Sequence, residues 1–181
     1  MEWITNALGR KIPKTIDGRV LKPYQGAFAD QGGGFFAQRR IPLTKTPGRI
    51  SKLVPSWDAL LDKVQVKSGM TISFHHHLRN GDFIVNETIR RLAERGVKDL
   101  IIAPSALFPV HDILVDYLKS GVISHVEGSM NGNVGVACSK GLMKKTAVIR
   151  SHGGRYRAIQ DGDLKIDVAF IAAPSADEFG N

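Results

Sequence analysis

The chain has 181 residues, 43% of them hydrophobic and 23% charged, with one cysteine and a formal net charge of +8. That length buries a core without staples, and the composition excludes a disordered acidic tail, a collagen-like polymer and a disulfide scaffold. The longest apolar run, residues 168–173, falls far short of the roughly 20 residues that span a bilayer, and a lone Cys138 with no basic-then-apolar N-terminus points to a reducing cytoplasm.

The charge is unevenly placed. Residues 1–55 hold ten Lys/Arg against three Asp/Glu, whereas residues 56–181 hold fifteen against fourteen. A basic N-terminal arm, residues 1–55, is therefore expected ahead of a near-neutral globular domain, residues 56–181. The arm shows little periodicity and is broken by Pro13, Pro23, Pro42, Pro47, Pro55 and Gly32-Gly33-Gly34, so it reads as an irregular leader. It has few aromatics and no reading helix, which argues against nucleic acid and for an acidic protein partner docked by Arg10, Lys11, Lys14, Arg39 and Arg40.

From Ser56 the pattern becomes regular. Ser56 is an N-cap for a short helix to about Val64, with Trp57, Leu60, Leu61 and Val64 on one face. Strands are predicted over residues 70–76, 100–103, 122–126, 146–150 and 166–172. Helices are predicted over 82–95, ended by Gly96, over 109–119, stopped near Gly121, and more weakly over 134–143 and 155–160. Strands separated by helices, with runs such as Leu100-Ile101-Ile102-Ala103 and Val168-Ala169-Phe170-Ile171 apolar on both faces, predict an α/β domain. Its Rossmann-like, mostly parallel sheet carries helices on both faces.

Ligands of open parallel sheets bind beyond the carboxyl ends of the strands. The turns there are polar and glycine-rich: His75-His76-His77-Leu78-Arg79-Asn80-Gly81-Asp82, then Glu127-Gly128-Ser129-Met130-Asn131-Gly132-Asn133, then Ser151-His152-Gly153-Gly154-Arg155, and finally Pro174 to Asn181. Glycine at a helix entrance lets backbone N–H groups approach an anion or a developing oxyanion, and Arg79, Arg155 and Arg157 add guanidinium donors. An anionic ligand is the expected occupant.

Other chemistries fit less well. On a strand His75 and His77 share a face and His76 does not, and no Cys-x-x-Cys or His-Glu-x-x-His spacing accompanies them, so no metal is assigned. Cys138, between Ala137 and Ser139 in an apolar stretch, reads as a core thiol. No Gly-x-Ser-x-Gly elbow, phosphate loop or dinucleotide fingerprint is present.

The strings Arg79-Asn80-Gly81-Asp82-Phe83-Ile84-Val85-Asn86, Glu127 to Gly132, Ser151 to Arg155 and Ile166 to Asn181 closely resemble the alpha subunit family of citrate lyase, the citrate CoA-transferase component, within the CoA-transferase superfamily. The leader, with Gly9-Arg10 and Pro13, is also similar to that family's N-terminus. The resemblance implies exchange of the acetyl group of an acyl-carrier-protein thioester for citrate. Acetate is released and a citryl thioester forms, which a beta (lyase) subunit cleaves to oxaloacetate and the acetyl thioester. It implies further that the thiol belongs to a CoA-type prosthetic group of the gamma (acyl carrier) subunit and not to a cofactor bound covalently here, and that the chain works in a multi-subunit oligomer. The reaction would pass through a mixed acetyl-citrate anhydride, with the substrate carboxylate as nucleophile. Carried onto this sequence, the substrate- and thioester-binding loops are Arg79, Asn80, Gly81, Asp82, Gly128, Ser129, Asn131, Gly132, His152, Gly153, Gly154, Arg155, Asp177 and Asn181.

Members of the family are several times longer and contain two related α/β halves with the active site between them. The chain is therefore expected to be the first half of such an enzyme, with its catalytic residue in the second half and little activity alone. Two alternatives stay open at this point. One is a sugar-phosphate isomerase-like or regulatory ligand-binding domain of similar build, with Asp82 or Asp177 as acid/base. The other is a non-catalytic protein-interaction module.

Overall fold

The computed structural model describes residues 1–27, 29, 50–75 and 83–180. The chain divides into two compact units, Met1–Arg39 and Arg40–Asn181.

The first unit is more ordered than its sequence suggests. Strand β1 (Trp3–Thr5) pairs antiparallel with β2 (Lys11–Pro13), Ile4 standing opposite Ile12. The carboxamide oxygen of Asn6 accepts from the backbone N–H groups of Leu8 and Arg10, at 2.9 and 3.0 Å, and so closes the turn. Strands β3 (Thr15–Ile16) and β4 (Arg19–Val20) follow, joined by Asp17-Gly18 with both residues at positive φ, 49° and 76°. That is the backbone a two-residue hairpin turn requires and the residue pair that supplies it most readily. Of the proposed docking cations, Lys14 is engaged by Glu2 at 2.9 Å, and Arg39 and Arg40 lie outside the described residues.

The second unit holds the α/β domain. Its chain order is α1 (Trp57–Val64), β5 (Thr71–His75), α2 (Ile84–Glu94), β6 (Leu100–Pro104), β7 (Ala106–Leu107), α3 (Leu114–Ser120), β8 (Ile123–Val126), β9 (Ser129–Met130), α4 (Gly132–Ser139), α5 (His152–Asp161) and β10 (Val168–Ile171). The main sheet is parallel, in the order β10-β5-β6-β8. Helix α1 begins as its sequence predicts, with the Ser56 hydroxyl accepting from the Ala59 N–H at 3.1 Å. Gly96, at φ 76°, follows the end of α2.

Chain handedness places the helices. From β5 to β6 to β8 the chain steps one way across the sheet, so right-handed crossovers put α2 and α3 on one face. The return from β8 to β10 then puts α5 on the other. The buried side chains agree. Ile72, Phe74 and Ile102 of the sheet pack with Leu61 of α1, Val85, Ile89 and Leu92 of α2, Leu114 and Leu118 of α3, and Val134 of α4. On the opposite face Ala103 packs with Ala158 of α5 and Leu164. Phe170 stacks on Phe74 at 5.5 Å and on Trp57 at 6.2 Å, tying β10 to α1.

Four expectations change. Residues 146–150 do not form a strand: only Val148 makes a bridge, to Glu127, and its neighbour Ile149 is 78% exposed, so the apolar run has no face to bury. The 168–171 run is not buried on both sides either. β10 is an edge strand whose residues alternate half-buried and exposed, with no element among the described residues covering Ala169 and Ile171. The predicted 109–119 helix is interrupted, with a 3-10 turn at Pro109–His111 before α3. The two weaker helices begin earlier than expected, at Gly132 and His152.

Candidate active site

The strand order reverses between β5 and β10. In an open parallel sheet the loops that leave the carboxyl ends of two such strands diverge to opposite faces and leave a crevice between them. In the sequence Arg79, Asn80, Gly81 and Asp82 follow β5, and Asp177 and Asn181 follow β10. All of these except Asp177 lie outside the described residues, as do His76 and His77. His75 ends β5 with its side chain exposed.

Asp177 shapes the loop after β10. Its carboxylate accepts from the Phe179 N–H and its carbonyl from the Gly180 N–H, both at 3.0 Å, while the Glu178 carbonyl accepts from the Lys52 N–H at 2.7 Å. Asp177 thus builds the turn that presents the end of the sheet.

The Gly128 to Gly132 segment follows β8. A Cβ at Gly128 would lie 2.3 Å from the Pro104 carbonyl oxygen, so only glycine lets the chain pass the end of β6. Ser129 sits in β9, paired with Ala106 of β7. The Asn131 N–H donates to the Leu107 carbonyl at 3.0 Å. Gly132 opens α4 at φ 64°. This helix entrance is already partnered: the Asp112 carboxylate accepts from the Asn133 backbone N–H at 3.1 Å and from the Asn133 side-chain amide at 2.6 Å. A carboxylate at a helix N-terminus complements the dipole, and here the chain provides it. The sequence expectation treats the glycines as a cradle for a ligand and does not anticipate Asp112.

At α5 the entrance is capped differently, with the Ser151 hydroxyl accepting from the Gly154 N–H at 3.0 Å. His152 and Gly153 are exposed in the first turn, and a Cβ at Gly153 would meet no atom within 4 Å. Arg155 turns inward and donates from Nη2 to the Ser73 hydroxyl at 2.7 Å, while its Nη1 is buried with no acceptor among the described residues. Burial, and secondarily the Arg150 guanidinium, disfavour the charged form of Arg155 and lower its pKa.

Beside this lies a buried polar chain. Glu127, 2% exposed, meets the Arg150 Nη2 and the His125 Nε2, each at 3.3 Å, and the His125 Nδ1 lies 2.8 Å from the Ser124 hydroxyl. Its sequence signal was present: a histidine and a glutamate inside the run Ile123-Ser124-His125-Val126-Glu127 are anomalous where buried strands are apolar. Cys138 packs half-buried against the main core, and burial pushes its thiol pKa up, as a core residue requires.

Among known proteins, a family profile described as "Citrate lyase, alpha subunit (CitF)" matches residues 50–181. The chain belongs to the citrate lyase alpha subunit family. It is 44% identical over 134 residues to the citrate lyase alpha chain of Klebsiella pneumoniae, a match covering 74% of this chain and 26% of that one. Against the alpha chain of Haemophilus influenzae it is 41% identical over 145 residues, or 78% and 29% of the two chains. A crystal structure of the putative alpha subunit of citrate lyase from Streptococcus mutans, in complex with citrate, superposes with a TM-score of 0.71 at 45% identity, covering 75% of this chain and 27% of that one. The chain thus spans between a quarter and a third of the length of these relatives. The matched region contains β5, β10 and every loop residue singled out from the sequence.

Proposed function

We propose that the chain carries part of the acyl-exchange site of a citrate lyase alpha subunit. The reaction replaces the acetyl group of an acyl-carrier-protein thioester with citrate. A citrate carboxylate oxygen adds to the acetyl carbonyl and the prosthetic-group thiolate leaves, giving a mixed anhydride. The thiolate then adds to the citryl carbonyl of that anhydride, acetate leaves, and the citryl thioester passes to the lyase subunit. No protein nucleophile is consumed, so the site has to bind anions, hold two acyl centres together and donate N–H groups to a developing oxyanion.

What supports this reading is the family match over residues 50–181 together with the reversal of strand order between β5 and β10. Arg155, anchored on Ser73 of β5, has a buried Nη1 without an acceptor among the described residues. The binding residues are proposed to be Arg79, Asn80, Gly81, Asp82, Gly128, Ser129, Asn131, Gly132, His152, Gly153, Gly154, Arg155, Asp177 and Asn181, with the residues beyond the matched portion of the relatives completing the site. The acyl carrier and lyase subunits are its partners in an oligomeric complex, and a cytoplasmic setting fits a reaction that uses a carrier-bound thioester. The family match gives no support to the isomerase-like or non-catalytic alternatives.

Acetate release from an acetyl thioester, measured with and without citrate, tests this. The chain alone is expected to bind citrate yet turn over little, and exchange is expected once the lyase, the carrier and the remainder of an alpha subunit are supplied. Substantial exchange by the 181-residue chain alone would show that it needs no completing polypeptide. Absence of any citrate binding would sink the functional reading.

A further inference from the structure

Two arginines outside the main core lie near each other, Arg150 paired with the buried carboxylate of Glu127 and Arg155 with the hydroxyl of Ser73. On the α5 face of the sheet, Ser73 of β5 stands opposite Ala103 of β6. Ile102 stands opposite Val126 of β8, which brings Glu127, the next residue, level with Ala103. Arg155 is anchored on Ser73 and Arg150 on Glu127. With strands about 4.8 Å apart, the two anchors lie about 10 Å from each other across Ala103. The floor between them is small, and Ala158 of α5 packs on it.

Among the described residues Arg150 pairs with Glu127, which also meets His125, while Arg155 meets the Ser73 hydroxyl and feels the like charge of Arg150. Two buried donors, Nη1 of Arg155 and Nε of Arg150, have no acceptor among the described residues. Buried N–H donors are nearly always partnered, and an orphaned guanidinium nitrogen marks a missing acceptor. One further carboxylate would accept from both arginines and offset their mutual repulsion.

We propose that Arg150 and Arg155, held apart by Glu127 and Ser73, form a subsite for one carboxylate of a polycarboxylate substrate. Arg150 and Glu127 are new to the site; neither is among the binding residues proposed above, although Glu127 begins one of the strings that carry the family resemblance. Glu127 acts as a positioning residue that fixes Arg150 while leaving its Nε unpaired. The inference rests on the acyl-exchange reading, since it takes citrate as the ligand, and it adds which residues hold one of the carboxylates.

Calorimetric titration of the full chain with citrate, with tricarballylate, which lacks the hydroxyl, and with inorganic phosphate tests it. Arg155→Gln is expected to weaken citrate and tricarballylate binding at least tenfold. Because Arg150→Gln alone would take a paired guanidinium from the buried Glu127 carboxylate, the double variant Glu127→Gln/Arg150→Gln is used to remove both charges together, and it is expected to show a loss of similar size. Circular dichroism and melting temperature establish that each variant is folded. Folded variants that bind citrate within twofold of the parent would overturn the subsite and leave the exchange reading standing. Phosphate competing as well as tricarballylate would overturn the carboxylate assignment. A parent chain that binds neither polycarboxylate would overturn both readings at once.

Discussion

Arg155, in the first turn of α5, donates to the hydroxyl of Ser73, the middle residue of β5, at 2.7 Å. The two residues are 82 positions apart, and the bond sews the return crossover onto the strand that borders the β5–β10 crevice. Ser73 is 5% exposed, so its replacement leaves a guanidinium N–H facing an apolar surface. Ser73→Ala is expected to cost about 1–3 kcal/mol, read as a lower urea midpoint at unchanged slope. An unchanged midpoint would mean that α5 is held by the Ala103–Ala158–Leu164 contacts alone.

Two glycines of the candidate site should respond in opposite directions. At Gly128 an added methyl lies 2.3 Å from the Pro104 carbonyl oxygen, and backbone there has to move, so Gly128→Ala is expected to destabilise by about 1–3 kcal/mol. At Gly153 the methyl meets nothing within 4 Å and the backbone is helical. Gly153→Ala should therefore stabilise by a few tenths up to about 1 kcal/mol. Thermal melts of the two variants check both signs. A fall in melting temperature for Gly153→Ala would show that its backbone is held in a way the open space around it does not reveal.

Much of the fold was legible from the chain because local signals were redundant. Ser56 and Gly96 bracket the first two helices, and the runs predicted as strands near 70, 100 and 122 hold the largely buried strands Thr71–His75, Leu100–Pro104 and Ile123–Val126. The 146–150 run failed because alternation of apolar residues does not say whether a neighbouring strand is available, and Val148 finds only one bridge. The N-terminal hairpins escaped because strands of two or three residues are too short to show a period, although Asp17-Gly18 was itself a hairpin signal. In the candidate site the glycine-rich loops stood out, whereas Asp112 against Asn133, Ser73 against Arg155 and Glu127 against Arg150 did not. Those pairings join residues 21, 82 and 23 positions apart, and only the sheet order brings them together.

The entrance of α4 offers a second stability test. Asp112 is the acceptor for both the backbone and the side chain of Asn133, at 3.1 and 2.6 Å, so it serves as the helix cap that Asn131 does not provide with its own side chain. Asp112→Ala is expected to lower stability by about 1–2 kcal/mol. Asn133→Ala should cost less, because the backbone N–H still reaches the carboxylate. Equal losses in the two variants would place the effect in the side-chain amide and not in the cap.

Acid sensitivity should arise partly on the exposed face of α2. Glu87 is held at a pKa of about 2, against an ordinary value of 4.5, first by hydrogen bonds from Arg90 and then from Arg91. A carboxylate with a depressed folded pKa contributes stability that is full above its unfolded value and is lost as pH falls from about 4.5 toward about 2. Glu87→Gln should therefore flatten the melting-temperature profile across that window and leave the slope above pH 5 unaltered. The ion pairs face solvent, so the effect should be small and should shrink as salt is raised. An identical acid limb in parent and variant would show that the groups on α2 do not control it.

The Glu127–Arg150 pair makes the sharpest stability prediction, because both partners are largely out of water, with side chains 3% and 18% exposed. Burying two charges costs much of what their attraction returns, so a buried pair is weak evidence for stability, yet removing one partner leaves the other uncompensated. Arg150→Gln is expected to destabilise by about 3–5 kcal/mol, since it takes a paired guanidinium from a carboxylate whose side chain is 3% exposed. Glu127→Gln should cost less, because its amide oxygen still accepts from Arg150, and that guanidinium, already near Arg155, can lean toward solvent. The double variant should recover a large part of the Arg150→Gln loss, giving a coupling energy of about 1–3 kcal/mol in a double-mutant cycle. Additive losses would mean that the 3.3 Å contact carries no energy of its own, and that Arg150 is held by packing around its aliphatic stem.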